Sequence, residues 1–181
     1  MKTYRADLHI HTLLSPCGDL SMTPANIVSE ALRKKLDIIG ITDHNSTRQA
    51  GLVGMLGARE GLFVLQGAEV STREEVHCLV FFENPAELEV FQEYLDDNIP
   101  AVMNDPLIFG DQVVIDEKEY IIYTEEKLLT NATNISTTPT ANLRTCGLPS
   151  SGRTAQPVES MLCARRKRVA RAPRRARSPG P

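Results

Sequence analysis

The chain has 181 residues, 41% hydrophobic and 24% charged, enough apolar material for one folded domain of ordinary size. No run of about 18 apolar residues is available to span a bilayer. The start, MKTYRADLHIH, lacks the basic, apolar and small-residue order of a secretory leader, so a cytoplasmic protein with no membrane partner is expected.

The four cysteines, Cys17, Cys78, Cys146 and Cys163, are scattered without a CxxC pair, which argues against a zinc ribbon or a disulfide framework. Sequons at Asn45, Asn131 and Asn134 are read as chance matches. The net charge of −3 hides two unlike parts. Residues 1–136 carry 10 Lys and Arg against 22 Asp and Glu, a charge of −12, while residues 137–181 carry 10 against Glu159 alone, a charge of +9.

Up to Ser136 the pattern is that of an α/β protein. RADLHIHT alternates, so Ala6, Leu8 and Ile10 are expected on one face of a strand and Asp7, His9 and His11 on the other. TPANIVSEALRKK reads as a helix capped by Thr23, with Pro24 at its first position and Ile27, Ala31 and Leu32 supplying the buried stripe. It meets the strand LDIIGIT with no glycine to end the helix, as though one residue were missing. That strand is almost continuously apolar, as parallel strands are.

A weak helix over 47–60 precedes the strands LFVLQGAEVST and VHCLVFF. NPAELEVFQEYLDDN is a helix capped by Asn84, with Leu88, Phe91 and Leu95 on one face. DQVVIDEKEYIIYTEEKLL reads as a hairpin feeding a short helix. From residue 137 onward there is no Ile, Phe, Tyr, Trp, Asp or His. The expectation is an irregular Arg/Pro/Ser/Thr-rich basic tail over 137–181, disordered or non-native, with the texture of an out-of-frame translation.

Every histidine lies at a strand or at its end. His9 and His11 leave one strand face about 6.6 Å apart at the backbone, His44 ends its strand in ITDHN, Glu69 stands in QGAEVST and His77 opens EVHCLVFF. A lone strand histidine is usually a hydrogen-bonded structural residue. Imidazoles and carboxylates gathered at the carboxyl ends of strands are instead the ligand mix for zinc, manganese or iron.

DLHIHT, GITDHN and GAEVST followed by EVHCLVF resemble, in order and spacing, the first three signature motifs of the PHP (polymerase and histidinol phosphatase) superfamily. The resemblance spans roughly residues 5–136, and SPCGD followed by MTPANIV is most similar to the stand-alone metal-dependent phosphoesterases. It implies the N-terminal part of a distorted (β/α)7 barrel over residues 1–136, with two or three divalent ions at its strand ends, hydrolysing phosphate esters.

By this resemblance the metal ligands are His9, His11, His44, His77 and the bridging Glu69. A further ligand comes from the loop holding Cys17 and Asp19, where Asp19 is favoured because a carboxylate suits hard and borderline ions. Asp43 and Glu69 are assigned as catalytic acidic groups, with Asp43 and Asp7 orienting imidazoles; Thr12 and Thr42 read as structural. The substrate class implied is a nucleotide, a small phosphomonoester or a nucleic-acid end; oligomeric state has no signature.

Relatives supply further ligands downstream, whereas no histidine follows His77 here, so the expected barrel is incomplete and its turnover weak. Two alternatives stand beside this reading: nucleic-acid binding through the Arg-rich tail, and an amidohydrolase-like C–N hydrolase, whose barrels also open on an HxH strand.

Overall fold

In the computed structural model, residues 2–137 are described; the expected basic tail, apart from Thr137, lies outside them. Four strands, β1 (Ala6–Ile10), β2 (Ile38–His44), β3 (Phe63–Ser71) and β4 (His77–Phe82), form one sheet in the order β1-β2-β3-β4. The first three are parallel, joined by α1 (Pro24–Arg33) and α2 (Ala50–Arg59). β4 runs antiparallel to β3 because the link between them, closed by Thr72 N–H donating to the Val76 carbonyl at 2.9 Å, is too short for a crossover. The fold is therefore mixed α/β, with β1 and β4 as the sheet edges among the described residues.

The helix signals hold locally. Thr23 accepts from Asn26 N–H with Pro24 inside the first turn of α1, and Asn84 accepts from Ala86 N–H at the start of α3 (Pro85–Asn98). α1 ends without glycine because Lys35 adopts a left-handed φ of 56°. Leu36 N–H then donates to the Ala31 carbonyl and Lys35 N–H to the Leu32 carbonyl, both at 2.9 Å, the paired bonds that close a helix C-terminus. The helix is thus closed without a glycine. Leu32, expected in the buried stripe, is exposed, and Val28 takes its place beside Ile27 and Ala31.

α1 and α2 pack on one sheet face through Ile27, Ala31, Ile39, Ile41 and Val53. Ala68, Val70 and Val80 meet Leu95 of α3 in a second cluster. The enclosed Ile, Val and Leu side chains each contribute about 1.5–3 kcal/mol.

Two sequence readings are corrected. β1 does not alternate regularly: Asp7 pairs with Ile39 but Ile10 with Ile41, a register shift that turns Asp7 toward the α1 side with Ile10, where both border the same cleft. The stretch after the hairpin β5 (Val113–Ile115) and β6 (Ile121–Thr124) is extended, not helical. Buried Gln112 donates its amide to the carbonyls of Glu125 and Lys127, and Leu128 N–H donates to the Val102 carbonyl, so those backbone groups are taken by distant partners. One turn, α4 (Pro106–Phe109), was not expected and is capped by Asp105. No described helix is long and apolar enough to cross a membrane.

Candidate metal centre

The register of the sheet places the chemistry on the face opposite α1 and α2. His44 pairs with Glu69 across the parallel strands, and Ser71 with His77 across the antiparallel pair, so three motifs meet at the carboxyl ends of β1, β2 and β3. Glu69, 1% exposed, is the centre. Its Oε2 lies 2.9 Å from His9 Nε2, 3.1 Å from His11 Nε2 and 3.5 Å from His44 Nδ1; its Oε1 lies 2.8 Å from His77 Nδ1. His9 and His11 face one another, Nε2 to Nε2, at 3.0 Å.

Around this centre runs a buried polar network. Asp43 accepts from Thr12 N–H and Thr12 Oγ1, both at 2.7 Å, and from Ser15 Oγ at 2.8 Å. Ser15 thus spends its one hydrogen on Asp43, so its oxygen accepts from His44 N–H at 3.0 Å and from His11 Nδ1 at 3.1 Å. With Ser15 as its acceptor, His11 carries a proton on Nδ1, and its Nε2 is left to face Glu69. Asp43 touches no imidazole; it positions His11 through Ser15. Thr12 and Thr42 are both fully buried, with Thr12 a partner of Asp43.

Charge follows the geometry. Burial opposes ionisation of Glu69, but hydrogen bonds from His11 and His9 and the positive rings nearby hold it well below the usual carboxylate range. Burial alone would lower His11, yet its hydrogen bonds to Cys17 and Glu69 push it up to about 9. The Cys17 thiol is brought down to about 6 by hydrogen bonds from His11 and His44. Burial pushes the Asp43 carboxyl up, against the pull of its Thr12 and Ser15 hydrogen bonds.

The donor set suits a divalent ion. Ligand atoms of His9, His11 and Glu69, of His44, Glu69 and His77, and of His11, Cys17 and His44 each lie within 4.8 Å of one another. His44 Nδ1 is buried without a hydrogen-bond partner, a cost that a bound cation would remove. His9, His11, His44, Glu69 and His77 are thus gathered in one place. Asp19 is not: it is exposed, with its carboxylate accepting from Ser21 N–H at 2.8 Å. Asp7 reaches no ring, only His9 N–H at 3.4 Å.

Two participants escaped sequence reasoning. Ser15 opens the SPCGD stretch, where attention falls on Cys17 and Asp19 as ligands and nothing local marks the serine's own role. Asn45 was noticed as a sequon, but it is 1% exposed; it accepts from Ser71 N–H and donates to the carbonyls of Leu129 and Asn131. It clamps the second motif to β3 and leaves no amide free for a glycan.

No family model matches the chain. A protein of Methanocaldococcus jannaschii is 36% identical over 78 residues, 39% of this chain and 46% of that protein. A 3',5'-nucleoside bisphosphate phosphatase of Chromobacterium violaceum is 32% identical over 84 residues, 45% of this chain and 28% of that protein. This chain therefore spans less than half the length of these curated relatives. Among solved structures, a "putative metal-dependent phosphoesterase" of Bifidobacterium adolescentis aligns with a TM-score of 0.44 at 26% identity, covering 54% of this chain and 34% of the other. An amidohydrolase of Chromobacterium violaceum aligns with a TM-score of 0.44 at 29% identity, covering 51% and 32%. Three sequence motifs thus assemble on one carboxylate, in a chain that is similar over part of its length to a nucleoside bisphosphate phosphatase.

Proposed function

We propose that the chain carries the first wall of a metal-dependent phosphoesterase centre, acting on a nucleotide or another small phosphomonoester. The observation that carries this reading is the convergence of four imidazoles on the buried carboxylate of Glu69. The named activity of the Chromobacterium relative supports the substrate class, and residues 1–136 would form the corresponding part of a (β/α)7 barrel.

In this reading His9, His11, His44, His77 and Glu69 would hold zinc, manganese or iron, two or three ions in a complete site. Bound divalent ions supply Lewis acidity and a hydroxide nucleophile near neutral pH. The protein contributes orientation: Ser15 fixes the His11 tautomer, Asp43 fixes Ser15, and the depressed Glu69 carboxyl stays ionised to balance cationic charge.

The test is metal content after dialysis against zinc or manganese, followed by turnover of a nucleoside 3',5'-bisphosphate. Wild type is expected to retain metal and release phosphate. Glu69→Gln is expected to lose both, with metal affinity falling by more than the ~10–100-fold typical of partners outside the ligand set. A Glu69→Gln protein with full metal content and turnover would overturn the assignment.

A further inference from the structure

Resting on the metal-centre reading, we propose that Cys17, not Asp19, supplies the loop ligand, as a thiolate on the ion that His11 and His44 hold, and that it biases this position toward zinc. The ligand atoms of His11, Cys17 and His44 lie within 4.8 Å of one another. Asp19, two residues on, points away: its side chain is engaged by Ser21 N–H and its carbonyl by Met22 N–H, each at 2.8 Å.

The loop is built to hold this arrangement. Ser15 is tied to Asp43 and to His44 N–H, and Gly18 N–H donates to the Ser15 carbonyl at 2.7 Å. A Cβ on Gly18 would sit 2.1 Å from the Thr12 carbonyl oxygen, so the chain packs there as only glycine allows. Cys17 is clasped between these two fixed residues.

His44, whose ligand atom lies close to those of Cys17 and His11, is 8% exposed, and its Nδ1, 3.5 Å from Glu69 Oε2, has no hydrogen-bond partner. Sulfur beside imidazole is the donor pair of zinc and of cobalt, whereas manganese prefers oxygen. The centre is then graded, with a soft exposed side at Cys17 and a hard buried side at Glu69.

The experiment is the absorption spectrum of the full-length protein loaded with cobalt(II). Wild type should show a sulfur-to-cobalt charge-transfer band. Cys17→Ser should lose that band, and Asp19→Asn should keep it. In a mixed zinc and manganese dialysis, Cys17→Asp should shift occupancy toward manganese. Cobalt bound without the band, a band surviving in Cys17→Ser, a band lost in Asp19→Asn, or unchanged occupancy in Cys17→Asp would each overturn the thiolate ligand while leaving the imidazole and carboxylate centre standing. Failure of wild type to bind cobalt at all would remove both readings together.

Discussion

Glu69 and His77 stand on antiparallel neighbours two residues out of register, yet His77 Nδ1 lies 2.8 Å from Glu69 Oε1. Such diagonal positions share a sheet face and are within reach of long side chains. The tight link between β3 and β4 sets this register, so a short turn, not a further βα unit, delivers the fourth imidazole.

Asp43 is predicted to act through structure. Asp43→Ala leaves Thr12 N–H and two hydroxyls without their buried acceptor, and a loss of about 3 kcal/mol is expected. Urea unfolding of the metal-free protein measures it. A variant within about 0.5 kcal/mol of wild type, the range of an ordinary surface substitution, would show that the network carries no such weight.

The pH dependence of the metal-free protein follows from one contact seen from both sides. His11 is raised from 6.5 to about 9, so its contribution is fully present below pH 6.5 and lost as pH rises through about 9. Cys17 is lowered from 9.0 to about 6, so its contribution is present above pH 9 and lost as pH falls through about 6. Between pH 6.5 and 9 the two proton counts cancel, and stability from this pair is expected to be flat. Below pH 6 the Cys17 part disappears. Urea midpoints across pH 5.5–9 check this, and a steady slope across the window would contradict it.

Lys35→Gly should stabilise the protein. A lysine held at φ 56° carries roughly 1–2 kcal/mol of strain, only partly offset by the greater freedom of glycine in the unfolded chain. A gain of about 0.5–1 kcal/mol is expected as a higher urea midpoint with unchanged slope.

Gly18→Ala should act locally. Its Cβ would collide with the Thr12 carbonyl, and relief of such overpacking typically costs about 1–3 kcal/mol. Because the loop must shift to make room, zinc affinity measured by competition with a chelating dye should fall along with stability. Wild-type affinity in this variant would show that the loop's position does not matter to the centre.

The sequence by itself determined most of the elements and which imidazoles and carboxylate stand at the strand ends. Caps at Thr23 and Asn84, the apolar run Ile38–Thr42 and the alternation around His9 and His11 are local signals, carried by a few adjacent residues. The His9, His11, His44, Glu69 and His77 set was legible because each stands at a strand end. Local pattern has no access to events that need distant partners. The register shift in β1 turns Asp7 away, and Gln112 claims carbonyls that a helix would have used. The preference of the loop for Cys17 over Asp19 depends on where Asp43 pins Ser15, 28 residues apart in sequence but joined by one hydrogen bond. Periodicity tells which side chains share a face; only tertiary packing decides which atoms of that face meet.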